Sequence, residues 1–367
     1  MLTSAIQRTS DCVAPPDGRH GTLLAEPIKI QWDPSLPVFA KEEFLKGVGD
    51  EYGWLGGIDE SGGLRCILPY TIVRKAGLRM VRFRVETIPC DAGFDVHAEQ
   101  SFLNSVIQHF RITRADVIIP ASTNAIFRTY PDGAVAAPYG TYLIALAQPE
   151  DALWAAVSSS HRRQVRSAEK SGVHVRSAPE CVTTAHAIIR NTFRKSSLPF
   201  MPLENFVRML GGLEGNVHLW VAECRDQVQS CAVIAYSQHT AYYMYGGSIP
   251  EAVPGAMHLL HWEAIRFYRQ LEVGRYDFYG ARINPSPGSK AAGLAAFKQR
   301  FGAGLEQGYI WKCPISGLKS AIYSFGVRYL RGGDIVDAEH HKLHHPFVIA
   351  DSRSLENQGC ENLREPS

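Results

Sequence analysis

The chain has 367 residues, 45% of them hydrophobic and 20% charged, a globular balance that excludes disorder and predicts two packed domains of ~150 residues each. A formal net charge of +2 excludes nucleic-acid binding through global charge, so any RNA contact must be local. Eight cysteines without CxxC spacing exclude a disulfide frame and structural zinc, and no apolar run approaches the ~20 residues that span a bilayer. With Arg8, Asp11 and Asp17 where a signal peptide needs its apolar stretch, the expectation is a cytoplasmic, soluble monomer without membrane insertion.

Residues 1–28 mix proline, glycine and polar residues without periodicity and are expected to form a flexible tail. The next stretch, 29–147, reads as a first mixed α/β (α+β) block: a helix over 41–48, strands over 54–58 and 64–73, and a helix over 98–110. In that helix Phe102, Val106 and Phe110 fall four apart on one face. Strands over 117–120 and 139–146 close the block. A second block, 148–315, opens with one long amphipathic helix over 149–171, ended by Gly172 where a helix C-terminus favours glycine. A strand begins at Val173, helices follow over 182–194 and 203–210, and runs at 218–222, 231–236 and 241–246 are spaced as an antiparallel meander. The helix expected over 256–271 carries Met257, Leu260, Ala264 and Phe267 on one stripe, and Gly274 separates it from a strand over 275–279. A last amphipathic helix, 318–330 within the segment 316–345, has no place in the second block and is expected to return to the first. Residues 346–367 read as a second flexible tail.

The stretch 276–303, YDFYGARINPSPGSKAAGLAAFKQRFGA, concentrates chemistry. Asp277 sits inside a strand, where a charge is costly unless paired. A loop with two prolines and two glycines then delivers a short helix that sets Lys298 beside Phe297. A lysine so placed can hold its cation against an acyl carbonyl oxygen as negative charge develops there; the plainer reading, a solvated helix lysine, is the general rule for the residue type.

Other groups weigh less. Arg162, Arg163, Arg166 and Lys170 form a basic stripe suited to a phosphate backbone, against the ordinary reading of a solvated helix face. On the strand around 242–245, strict alternation would put Tyr243 and Tyr245 on one face as ligand contacts and Tyr242 on the other. His340, His341, His344 and His345 have helix-like spacing but read as tail histidines, and no metal site is expected. Ser/His/Asp triads, phosphate-binding Walker loops and HExxH patterns do not occur.

Four segments in order carry a family resemblance: HRRQVRSAEKSGVHV (161–175), YYMYGGSIPE (242–251), LLHWEAIRFYRQLEVGRYDFYG (259–280) and GLAAFKQRFGA (293–303). Together they resemble the Fem family of aminoacyl-tRNA-dependent transferases, within the GNAT-like acyltransferase superfamily. The resemblance implies two tandem GNAT-like domains with a cleft between them and a lysine of the FK pair, here Lys298 after Phe297, that stabilises the reacting ester carbonyl. Three positions depart from the family. The arginine and tyrosine that grip a nucleotide-linked cell-wall precursor correspond to Pro202 and Phe206, leaving Arg194 or its basic neighbours to substitute. The coiled-coil arm of some members is absent, since Gly172 runs directly into Val173. The pyrophosphate loop of acyl-CoA enzymes is replaced by PEAVPGA, 250–256. The expected activity is therefore an aminoacyltransferase joining an amino acid from aminoacyl-tRNA to an amine acceptor, a specialised metabolite, a peptide or a peptidoglycan precursor, with no cofactor. The alternative is an acyl-CoA-dependent N-acyltransferase.

Overall fold

The computed structural model describes residues 22–196 and 198–344. Most of both expected tails, together with His345, Cys12 and Cys360, lies outside the described residues. The described strands make one continuous sheet of thirteen, and its order explains how two blocks become one body.

The first unit starts with β1 (Leu24–Ile28), α1 (Glu42–Val48), β2 (Glu51–Ile58), β3 (Leu64–Lys75) and β4 (Leu78–Phe83), followed by the two-residue β5 (Ile88–Pro89). It continues with α2 (Val96–Ile112) and β6 (Val117–Ile118). Strands β1 to β4 form an antiparallel meander, and α2 then carries the chain across one face so that β6 can lie parallel to β4. Asp95 caps α2 through Ala98 N at 2.8 Å, and Phe102, Leu103, Val106 and Phe110 bury its inner face on the sheet. Part of the expected N-terminal tail is thus structured: β1 adds to the sheet edge, with Leu23 N and Ala25 N donating to Ser101 Oγ and Ser105 Oγ of α2.

After β7 (Val135–Ala145), the second unit repeats the scheme with α3 (Glu150–Ala156), α4 (Ser159–Lys170), β8 (His174–Ser177), α5 (Val182–Arg194), α6 (Leu203–Gly211), β9 (Val217–Cys224), β10 (Gln227–Tyr236) and β11 (Ala241–Ser248). Helix α7 (Ala256–Gln270) crosses over to β12 (Arg275–Asp277), parallel to β11 as β6 is to β4. Helix α8 (Lys290–Gln299), β13 (Gly304–Pro314), α9 (Gly317–Arg331) and α10 (Ile335–His344) complete the chain.

Two strands are exchanged between the units. β7, expected as the last strand of the first block, pairs instead with β12 of the second. β13, from the far end of the chain and not predicted, pairs with β6 of the first and runs antiparallel to β7 over nine residues. A boundary at 147/148 therefore does not divide the sheet, because each half supplies the strand that completes the other.

Three further expectations change. The single helix over 149–171 is two, since Val157 is extended and Ser158 starts a new helix by accepting from His161 N. The guanidinium of Arg162 meanwhile closes the old one by donating to the carbonyls of Trp154, Ala155 and Val157, the end that a helix leaves unsatisfied. Second, a β-bulge shifts the β10–β11 register, so that Val233 pairs with Tyr245 and Ile234 with Tyr243. Strict alternation fails there, and Tyr243 and Tyr245 end up on opposite faces, one against His261 and the other among Phe193, Phe200 and Phe206. Third, the C-terminal segment is two helices: α9 leans on β6 through Ser320 Oγ and Asp116 O at 2.7 Å, and α10 lies on β7, where His340 Nδ1 meets Ala136 O at 2.9 Å.

Trp311 of β13 is 1% exposed and packs at 5.4 Å from both Phe83 and Phe127 of the first unit. Trp311→Ala is expected to cost about 3–5 kcal/mol, and urea unfolding should show the loss as one cooperative transition shifted to lower midpoint, because the cavity opens in a core that both chain halves build.

Candidate acyl-transfer site

The candidate site lies where the end of β4 meets the ends of β11 and β12. Beyond the pairs Ala241–Tyr276 and Tyr242–Asp277 the two parallel strands part. β11 continues to Ser248, while the chain after β12 follows β7, with Phe278 N donating to Tyr142 O and a bridge between Gly140 and Ala281. Parting strands of this kind open the crevice in which α/β sheets bind ligands.

At that point the backbone turns sharply, with Tyr279 at φ 60° and Gly280 at φ 57°. Gly280 is needed there: its conformation is left-handed, and a Cβ would stand 2.8 Å from Thr123 O of the first unit. Two buried charges hold the turn. Asp277 Oδ1 accepts from Tyr279 N at 2.6 Å and from the Thr141 hydroxyl. Lys298 Nζ donates to Tyr279 O at 3.0 Å and Gly280 O at 2.6 Å, which leaves one of its three protons for a ligand. Burial raises the Asp277 carboxyl to about 6, against the lowering effect of its hydrogen bonds. Burial lowers the Lys298 ammonium to about 8, with Asp277 opposing the shift.

Lys298 is aimed by its helix. Ser289 Oγ caps α8 by accepting from Ala292 N at 3.2 Å, and Phe297 anchors it among His161, His258, His261 and Phe301, with ring centroids 5.2 to 5.6 Å away. His161 Nε2 reaches Phe297 O at 3.2 Å. Burial, with His161 and Arg300 adding, lowers His258 to about 4, and burial lowers His261 to about 3, so these rings are neutral near pH 7 and Lys298 is the cation of the cluster. His261 Nδ1 bonds the Tyr276 hydroxyl at 2.9 Å, while its Nε2 is buried without a partner.

The structure brings Phe297, Lys298, Asp277 and Tyr243 together, Tyr243 through its contact with His261 at 4.5 Å. Tyr245 stands on the opposite side of β11, near Arg82 and Arg84, whose charges act on its hydroxyl. The basic residues lie elsewhere. Arg162 is spent on the α3 carbonyls, Arg166 lies over the Trp154 ring at 5.6 Å, Arg163 is exposed on α4, and Arg194 reaches Asn191 Oδ1 at 2.9 Å at the end of α5.

Sequence reasoning missed the first unit's contribution. Arg82, Arg84 and Glu86 are alternate residues of RFRVE at the end of β4. Arg84 is held by two hydrogen bonds, Nε to Thr71 Oγ1 and Nη2 to Val48 O. By contrast Arg82 Nε and Glu86 Oε2 are buried atoms without a partner. Burial raises the Glu86 carboxyl to about 8, Arg275 opposing and Asp277 adding to the shift, and Glu86 in turn acts on the Tyr242 hydroxyl. The available signal was the alternation of charges in an otherwise apolar strand, costly unless the charges meet something.

Two parallel-paired units joined in one sheet, with a buried lysine at a left-handed turn between them, define a tandem GNAT-like acyltransferase architecture. Residues 156–298 match the family model described as an acetyltransferase (GNAT) domain. The solved structure of FemX shares the fold with a TM-score of 0.58, 15% identity, and coverage of 79% of this chain and 93% of that one, in agreement with the Fem resemblance of the four sequence segments. The C-terminal domain of a putative lysylphosphatidylglycerol synthetase from Agrobacterium fabrum aligns at TM-score 0.47 and 13% identity, over 79% of this chain and 92% of that one. A tandem GNAT protein from the clavulanic acid biosynthesis pathway aligns at 0.44 and 11%, over 75% and 88%. No curated protein matches the chain.

Lys298→Met is expected to reduce turnover ~10²–10³-fold, the usual cost of removing one donor to a developing oxyanion. In the native enzyme at saturating substrates kcat should fall as pH rises through about 8, where the ammonium of Lys298 is lost, and Lys298→Arg should move that falling limb to higher pH in initial-rate profiles.

Proposed function

We propose that the protein is an aminoacyltransferase that takes an amino acid from aminoacyl-tRNA and joins it, as an amide, to a small acceptor bearing an amine and an anionic group. The observation that carries this choice of donor is the filling of the crevice. Tyr243, Phe278 and Phe297 gather on His261 in the space where β11 and β12 part, each with its ring centroid 4.5 to 5.6 Å from that of His261. The N-terminus of α7 is closed as well: Gly255 is left-handed, and a Cβ on it would collide with the Gln164 carbonyl of α4, so the one glycine of PEAVPGA serves helix packing. A pyrophosphate has little to hold it there, and a long pantetheine arm has no slot through the sheet. An ester at the end of a tRNA needs only to reach the ammonium of Lys298, a residue 9% exposed.

The acceptor amine, freed of one proton, attacks the ester carbonyl; the N–C bond forms as the C–O bond to the ribose breaks. Lys298 supplies its third proton as a hydrogen bond to the oxyanion. Glu86, whose raised carboxyl is ionised by the acceptor's ammonium as it docks on the partnerless oxygen, takes one proton before attack and passes it to solvent; the second proton, shed by the nitrogen as the amide forms, crosses by way of Glu86 to the departing ribose oxygen. Arg82 holds the anionic group of the acceptor and stands in for the arginine missing at Pro202. The second reading, an N-acyltransferase using acyl-CoA, is supported by the acetyltransferase description of the family model over 156–298.

Purified protein supplied with radiolabelled aminoacyl-tRNA and a panel of anionic amines should form product that RNase treatment abolishes; turnover sustained by acyl-CoA alone would transfer the assignment to the second reading. Glu86→Gln is expected to lower kcat ~10²-fold or more, the range for a lost general base. Arg82→Ala should instead raise KM for the acceptor with little change in kcat, as expected for uniform binding.

A further inference from the structure

Helix α9 has two apolar faces, and only one of them is covered by other described residues. At about 100° per residue, Ser320, Tyr323 and Val327 fall on the inner side. Ser320 Oγ bonds Asp116 O there, and Tyr323 packs against the cluster of Leu78, Met80 and Val117. Leu318, Ile322, Phe325 and Tyr329 follow one another at intervals of four, three and four residues, which places them together on the opposite side. They are 77%, 55%, 73% and 80% exposed. The rings of Phe325 and Tyr329 stack at 6.1 Å with an interplanar angle of 10°, so the stripe is a continuous ridge. Single exposed apolar residues need no explanation, but a contiguous row does.

The surroundings of the ridge select its occupant. On the helical wheel Lys319 and Arg328 stand about 90° to either side of it, and α9 has no acidic residue. At the N-terminal end of α9, Asp116 holds Lys319 at 3.1 Å, and the residues just before Asp116 are the exposed Arg111, Ile112 and Arg114, with Ile112 81% exposed. A second copy meeting this face would set cations against cations. A bilayer with anionic headgroups instead offers an apolar layer for the ridge and phosphates for the flanking cations at the same depth. No described helix is long and apolar enough to cross a membrane, which leaves α9 to lie in the surface plane.

We propose that α9 is a membrane-surface docking helix that lays Leu318, Ile322, Phe325 and Tyr329 into the boundary between headgroups and acyl chains of an anionic bilayer. The inference is independent of the donor and acceptor assigned above, since it involves none of the cleft residues.

The test is co-sedimentation of the full chain with vesicles of phosphatidylcholine alone and of phosphatidylcholine with about one third phosphatidylglycerol. The native protein should bind the anionic vesicles and, at raised salt, lose part of that binding. The double variant F325E/Y329E should partition at least ~10-fold less at an unchanged thermal midpoint. In the single variant I322W the added indole should give an emission blue shift on anionic vesicles only. The proposal is overturned by absence of binding to either vesicle, or by equal binding of native and double-variant protein. It is also overturned if light scattering shows a native dimer that F325E/Y329E breaks without vesicle binding, or if binding appears only after removal of residues 345–367, which would make those residues the cover of the ridge.

Discussion

The pairing of β13 with β7, from Gly304–Leu143 to Lys312–Val135, is the constraint on which the rest of the molecule depends. Each strand is donated by the half of the chain opposite to the sheet it completes, so neither unit can shed the other without opening an edge in the middle of the sheet. The exchange also sets the cleft. Lys298 is six residues ahead of the first residue of β13 and Thr141 lies within β7, so the same ladder that joins the units fixes the lysine, its turn and the Thr141–Asp277 contact in one frame. Arg82 and Glu86 then face that frame from the first unit because β6, which lies parallel to β4, is itself pinned by the end of β13.

Within the frame, the turn at Tyr279 and Gly280 is held from both sides by buried charges of opposite sign. Asp277 takes the amide of Tyr279 and Lys298 takes the two carbonyls, which satisfies backbone groups that a left-handed turn would otherwise leave bare in the interior. Desolvation pushes both ionisations toward neutrality, the acid up and the lysine down, while their mutual attraction opposes it. The result is a cation that is poised and water-poor yet retains one free proton, the state in which a single hydrogen bond to a developing oxyanion counts for most. The neutral histidines around Phe297 add to this: rings that carried charge would repel the ammonium and weaken the anchor of α8.

Much of the architecture was legible because it rests on local patterns. The period of 3.6 in α2, α5 and α7, the helix-ending Gly172 and the meander of β9 to β11 follow from side-chain spacing and capping alone. The FK pair could be singled out for the same reason: Lys298 sits on a short helix after an acidic strand and a glycine-bounded loop. The errors fall where a distant partner overrules the local signal. The helix over 149–171 breaks because Ser158 N finds Arg300 O at 2.8 Å, 142 positions along the chain, and Tyr243 parts from Tyr245 because β10 imposes a bulge on β11. Arg162 looked like a ligand for phosphate, and a helix end one turn away holds it instead.

What the sequence by itself determined is most of the inventory of helices and strands and the acyltransferase-like class, and it singled out Lys298 as the candidate, since each of these is written in residues within one or two turns of each other. The exchange of β7 and β13, the approach of Arg82 and Glu86 to the turn after β12, the packing of Tyr243 and Phe278 on His261, and the outer face of α9 that no other described residue covers were decided only by the tertiary structure. The physical reason is common to all four. Each depends on which surfaces meet across stretches of chain far longer than a helical turn or a hairpin or, for α9, on which surface meets no other described residue, and no local period or cap carries that information.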